Sequence, residues 1–121
     1  MKNKHFKLGL LGENKAVDFL IEKEYIIIER NWKFKKFEID IIAIDDKELV
    51  IIEVKTRSSS LINPKEIITN NQQKRIISAA DSFIKEKKID LDVRFDMILI
   101  EKTSKSYKFT HIKEIFYQTF D

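Results

Sequence analysis

Four charged residues stand inside two runs that are otherwise apolar and β-branched: Glu38 and Asp40 in FEIDIIAI, then Glu53 and Lys55 in LVIIEVKT. Taking an ion out of water costs several kcal/mol unless it is paired or bound to a cation, so a plain core would not choose these residues. Side chains alternate along a strand, which puts Glu38 and Asp40 on one face and Glu53 and Lys55 on another. A two-residue turn at Asp46 and Lys47 joins the two faces: it pairs Asp45 with Glu48, Ile41 with Ile52 and Asp40 with Glu53, and sets Glu38 opposite Lys55. A slip of two residues would put Glu38 opposite Glu53 and still leave all four on one face.

Two adjacent carboxylates repel, which raises a pKa unless a divalent cation neutralises them. Hard oxygen ligands on an open site suit Mg²⁺ or Mn²⁺. A lysine two residues from a metal-binding glutamate can orient a water and stabilise the charge that builds on a phosphate. This is the chemistry of phosphodiester hydrolysis. Glu13 adds a third acid, on the inward stripe of a helix with Leu10 and Leu20. Gln72 and Gln73 lie one turn before Ile76 on the inner side of a second helix, beside Lys74 and Arg75, and Arg57 closes the strand after Lys55. These five are candidate nucleic-acid contacts, and Glu38 is secondary to the cluster.

Each residue also has a plainer role. The four strand charges could form an ion-pair network, although three acids against one lysine leave it unbalanced. Arg57 could be a surface arginine at a strand end. Arg30, Arg94 and Asp96 read as fold-stabilising pairs near strand ends, away from the cluster. His5 and His111 lack metal-ligand spacing and read as surface or packing residues. Trp32, Phe34 and Phe37, near Lys33, Lys35 and Lys36, form either core rings behind a solvated hairpin tip or an aromatic, basic surface for unpaired bases.

The elements that must position these groups follow from periodicity. Apolar residues at helical spacing over 9–24 predict an amphipathic helix, with Gly9 and Gly12 at its start allowing close backbone approach. Residues 25–34, 37–44 and 48–56 predict three strands in a tightly connected meander. A loop over 58–64 breaks the pattern, and 70–87 predicts the second helix. Strands at 95–100 and 107–111 follow, then a helical turn at 114–116. The order αβββαββ(α) implies an α/β fold in which helices flank a mixed sheet, with the second and third strands at its centre.

At 121 residues the chain fits one domain, residues 1–121, so one site belongs to one core. With 43% hydrophobic and 36% charged residues, two glycines and one proline, it has the balance of a compact fold. The absence of cysteine excludes disulfides and thiolate-bound zinc and is compatible with a reducing cytosol. No apolar run is long enough for a signal peptide or a membrane span, which sets the expectation of a soluble, cytoplasmic protein. A net charge of +3 permits a phosphate-rich partner without demanding one.

At these residues the sequence resembles the YraN-like family over nearly the whole chain. These are small bacterial proteins grouped with the Holliday junction resolvase branch of the PD-(D/E)XK nucleases. The resemblance rests on Gly12-Glu13 with Ala16 and Phe19-Leu20, on Arg30-Asn31-Trp32, on Glu38-Ile39-Asp40-Ile41-Ile42-Ala43, on Glu53-Val54-Lys55-Thr56-Arg57 and on Arg94-Phe95-Asp96. It implies a restriction-endonuclease-like core. Asp40 matches the motif aspartate, Glu53 and Lys55 the (D/E)XK pair, and Glu13 the helix-one acid of resolvase-like members. Phe37 stands where many relatives have glycine, and Gln72 where a lysine is usual. The resulting expectation is a structure-selective or nonspecific DNA endonuclease. Asp40 and Glu53 hold Mg²⁺ with help from Glu13 and the Val54 carbonyl, Lys55 positions the water, and the substrate is branched or single-stranded DNA. Junction cutting would call for a homodimer. The alternatives are a noncatalytic nucleic-acid-binding or interaction module that keeps the nuclease fold, and an enzyme acting on RNA or another phosphodiester.

Overall fold

The computed structural model describes residues 4–57 and 68–116, with side chains from Leu10 onward. The elements are α1 (Lys4–Glu22), β1 (Ile26–Phe34), β2 (Phe37–Asp45), β3 (Glu48–Arg57), α2 (Asn70–Lys87), β4 (Asp92–Lys102) and β5 (Tyr107–Phe116). They form an open five-stranded sheet in the order β1-β2-β3-β4-β5 with two helices. All neighbours are antiparallel except β3 and β4. A parallel pair needs a crossover, and α2 supplies it. The sheet therefore centres on β3, flanked by β2 and β4, rather than on β2 and β3 together. No described helix is long and apolar enough to cross a membrane.

Local chemistry fixes the boundaries. Two-residue turns join β1 to β2 at Lys35-Lys36 and β2 to β3 at Asp46-Lys47, with Lys35 at φ 58° and Asp46 at φ 55° carrying the left-handed step. A reciprocal capping box opens α2: the Thr69 hydroxyl accepts from the Gln72 amide at 3.2 Å, and the Thr69 amide donates to the Gln72 side chain at 3.0 Å. Lys88, at φ 53°, ends the helix, and Lys85 and Lys87 in its last turn suit the negative end of the dipole. The helical turn expected at 114–116 is instead the end of β5. Phe116 pairs with Phe95, their rings stacked at 4.8 Å. Ile115 and Phe116 pack against the α2-side core, and the β4 edge offers a ladder that an isolated turn could not match. The 58–64 loop lies outside the described residues.

The sheet is covered on both faces. On the α1 side, Ala16 and Leu20 meet Ile41, Val50, Ile52 and Ile98. On the α2 side, Ile76, Ala79 and Phe83 meet Ile39, Leu49, Ile51 and Met97. Helix α1 reaches β3 through Gly12, where a Cβ would land on the Thr56 hydroxyl. Glycine at a helix interior costs about 1 kcal/mol relative to alanine, and overpacking costs about 1–3 kcal/mol, so the close approach decides the sign. Gly12→Ala is expected to lower stability in urea unfolding, and Thr56→Ala added to it to recover most of the loss, a coupling that a double-mutant cycle reads directly.

A second group of buried charges ties β4 to its surroundings. Arg94 donates through Nε and Nη2 to Asp96 at 2.9 and 3.0 Å, through Nη1 to Asp45 at 3.1 Å and Glu48 at 2.9 Å, and through Nη2 to the Tyr25 hydroxyl at 2.8 Å. Asp96 also accepts from the Glu114 amide at 3.1 Å and lies 2.7 Å from His111 Nε2. Burial alone would push the Asp96 carboxyl up, yet hydrogen bonds from His111, Arg94 and the Glu114 amide hold it below the ordinary range. Arg94 and Asp96 are thus fold-stabilising partners as the sequence suggests, and His111 is a packing residue, 5% exposed, against Phe19 and Tyr25. Asp96→Asn leaves the Arg94 charge short of its bidentate, fully buried partner, with an expected cost of about 3 kcal/mol in denaturant unfolding at neutral pH.

Candidate functional site

The β2–β3 ladder runs from Asp45↔Glu48 to Ile41↔Ile52, the register that the Asp46-Lys47 turn predicts, and stops there. The next pair would be Asp40 and Glu53. Instead the Asp40 carboxylate accepts the Val54 backbone N–H at 2.8 Å, so a side chain takes over where strand pairing ends. The strand turns over at this point: Ile39 joins the α2-side core and Ile41 the α1-side core, although two residues apart they would normally share a face. Asp40 sits at that irregularity.

Glu53 is near enough for its charge to raise the Asp40 pKa, and Lys55 Nζ is 3.3 Å from Glu53 Oε1, each side chain 19% exposed. Burial raises the Asp40 pKa from 3.8 to about 7, with the Glu53 and Glu13 charges adding to it and the Val54 N–H and Lys55 opposing. Burial raises Glu53 as well, against the opposing pull of Lys55. Two acids held this way favour one proton between them, or a cation in its place.

Glu13 reaches the same neighbourhood from α1. Its carboxylate accepts from Arg30 Nη2 at 3.1 Å and from Asn31 Nδ2 at 3.0 Å, and Arg30 Nη2 also bonds Asn14 Oδ1 at 2.6 Å. Asn31 has φ 50°, a left-handed conformation that asparagine tolerates better than most residues. Trp32, the next residue, packs on the α2 side, while Arg30 and Asn31 both turn to Glu13 on the α1 side. Arg30 therefore stands beside the cluster and not away from it. Its polar partner across the helix–sheet interface was invisible in the strand pattern, and the only sequence signal was its place in the Arg30-Asn31-Trp32 stretch.

The other candidates divide. Glu38 pairs with Lys33 of β1 and is exposed, so it does not face Lys55: the expected pairing needed the ladder to continue past Ile41. Arg57 is half-buried and donates to the Thr56 carbonyl at 3.0 Å. Gln72 lines a small recess with Phe37, Glu53, Lys55, Ile68 and Ile76, although its side-chain oxygen is engaged in the α2 cap. Gln73 is half-buried, while Lys74 and Arg75 are exposed. Val54 packs its side chain into the α1-side core and pairs with Ile98. Among the described residues, no group of three or more His, Cys, Asp and Glu side chains is placed to hold a metal ion together.

Fold and site together define a small mixed α/β protein with an acid–lysine cluster where two inner strands part. Residues 12–100 match the family described as "Uncharacterised protein family UPF0102", and the chain belongs to that family, the YraN-like one. It is similar to the UPF0102 protein of Bacteroides thetaiotaomicron, 46% identical over 114 residues covering 93% of this chain and 94% of the relative. A UPF0102 protein of Bacteroides fragilis is 43% identical, with the same coverage of both chains. One from Flavobacterium psychrophilum is 40% identical over 93% of this chain and 96% of its own.

The raised Asp40 pKa also bears on stability. In EDTA the folded chain holds a proton that the unfolded chain has released between about pH 4 and 7, so stability from this group is full below about pH 4 and is lost as pH rises through about 7. Asparagine keeps the acceptor for Val54 and carries no charge. Asp40→Asn is therefore expected to be more stable than the parent at pH 8, with each tenfold difference in proton affinity between folded and unfolded chain worth at most about 1.4 kcal/mol. The advantage should vanish below pH 4, which urea unfolding across that pH range checks.

Proposed function

We propose that this protein is a metal-dependent endonuclease that hydrolyses phosphodiester bonds in DNA, acting in the cytoplasm. Its core would be of the restriction-endonuclease-like kind: α1, the antiparallel β1-β2-β3 set, the α2 crossover and parallel β4. The single observation carrying the reading is the meeting of Asp40, Glu53 and Lys55 where β2 and β3 diverge. A structural network would satisfy its buried acid with hydrogen bonds, as Arg94, His111 and the Glu114 amide do for Asp96. Here two acids crowd each other with one lysine to balance them.

The donor set fits Mg²⁺ or Mn²⁺. Magnesium is commonly held by one or two carboxylates and keeps several waters, so it needs no closed protein cage. Asp40 and Glu53 would hold it, with the Val54 carbonyl as a further oxygen donor, while Glu13, engaged by Arg30 and Asn31, would act on the site through its charge. When bound, the cation supplies charge neutralisation at the phosphate and a more acidic water. The chain's own groups do the rest. Lys55, drawn to Glu53, orients a nucleophilic water and carries positive charge toward the developing oxyanion. The Val54 N–H fixes the Asp40 carboxylate, and Arg30 and Asn31 fix Glu13, so the acids need little reorganisation.

The test is cleavage of branched, single-stranded and duplex DNA with Mg²⁺ or Mn²⁺. Metal-dependent cleavage is expected, reduced at least about 100-fold in Asp40→Asn and in Lys55→Ala. An unchanged rate in either variant, or no cleavage of any substrate by the parent, would rule the assignment out. Binding without cleavage would instead favour a noncatalytic nucleic-acid-binding module, a reading to which the engagement of Gln72 in the helix cap lends some support.

A further inference from the structure

Beside the acids, a groove of about 560 Å³ opens between the β1–β2 hairpin and α2. Its lining is Phe34, Lys35, Lys36, Phe37, Arg75 and Ser78. Three are cations, two are aromatic rings, and none is an acid. Lys35, Lys36 and Arg75 are exposed, and the two rings are half-buried. Leaving three like charges around one groove costs repulsion that an anionic ligand would relieve.

The rings are held in place. Phe34 lies parallel to Trp32, with interplanar angle 3° and centroids 6.3 Å apart, and Trp32 is wedged edge-on against Phe83 of α2 at 5.3 Å. The amine of Lys35 stands over the Phe34 ring at 5.3 Å. Phe37 lines this groove and also the recess that contains Glu53 and Lys55, so the two concavities meet at one side chain.

We infer that this groove binds a single-stranded segment of nucleic acid and leads it to the acid–lysine cluster, with Lys35, Lys36 and Arg75 on the phosphates and the Phe34 and Phe37 rings under unpaired bases. The inference rests on the nuclease reading and narrows its substrate to strands with an unpaired flank. Cations along a backbone track with aromatic platforms are the chemistry that takes single strands of any sequence. A duplex presents the same phosphates but hides the faces of its bases, so rings in the groove would contribute nothing to holding it.

The experiment is fluorescence anisotropy with labelled oligo(dT), oligo(U) and a duplex of equal length, in EDTA so that binding is read apart from cleavage. Oligo(dT) is expected to bind more tightly than duplex. In the Lys35→Gln/Lys36→Gln/Arg75→Gln variant, the slope of log affinity against log salt should fall by about 2, at roughly 0.7 per phosphate contact on a single strand. Phe37→Leu should weaken oligo(dT) roughly tenfold and leave the slope unchanged. The triple variant changes only exposed side chains, so it reports even if Phe37→Leu disturbs packing, and circular dichroism melts verify both folds. Oligo(U) binding as tightly as oligo(dT), or in its place, supports the groove and identifies which strand it accepts. Equal or tighter binding of duplex, or an unchanged salt slope in the triple variant, overturns the inference. Binding as expected with no cleavage in metal overturns the nuclease reading alone, while cleavage with an unchanged slope overturns the groove alone.

Discussion

Two carboxylates kept out of water side by side are unfavourable, and the structure around Asp40 and Glu53 is arranged about that cost. Burial and mutual repulsion raise the Asp40 pKa to about 7, and a backbone N–H and one lysine only partly offset them. For Asp40 to reach the Val54 N–H, the β2–β3 ladder has to end at Ile41↔Ile52. Beyond that point the strands separate, and the small recess lined by Phe37, Glu53, Lys55 and Gln72 opens on the α2 side. From the other side α1 brings Glu13, held by Arg30 and Asn31, and it can approach so closely because Gly12 has no side chain to strike Thr56. The unfavourable electrostatics at the site and the close helix packing are thus parts of one arrangement.

The Arg94 group shows what buried charge looks like when it serves the scaffold alone. Two guanidinium hydrogen bonds, a histidine and a backbone amide hold the Asp96 carboxyl below its ordinary range. Both groups lie on adjacent inner strands and both are rich in acids. They differ in the sign of the pKa shift, and that sign separates an acid saturated with hydrogen bonds from one set by burial and a neighbouring carboxylate. The Asp40 group is the unsaturated one, and its Glu53 and Lys55 line the small recess beside Phe37.

Much of this was legible in the chain. The Asp46-Lys47 turn sets the β2–β3 register, so the neighbourhood of Asp40 and Glu53 followed from counting. Residues 70–87 read as a helix because apolar stripe and basic end agree, and the structure adds the Thr69 cap. Glu38 misled because strand alternation assumes an unbroken ladder, and the break at Asp40 is offset by a hydrogen bond between a side chain and a backbone amide fourteen residues away. The 114–116 segment misled for a related reason: short apolar stretches take the structure that their neighbours offer, and β4 offered an edge.

The order of residues by itself determined which strands pair locally, where α2 begins and ends, and that acids and a lysine would stand close in a greasy sheet. These depend on contacts within a turn or across a hairpin, where separation along the chain is short. Only the tertiary structure decided that Arg30 and Asn31 serve Glu13 across the helix–sheet interface, and that Lys35, Lys36 and Arg75 line one groove with two rings. Those groups belong to separate elements whose apposition is set by packing of the whole sheet between α1 and α2, and no local pattern encodes that distance.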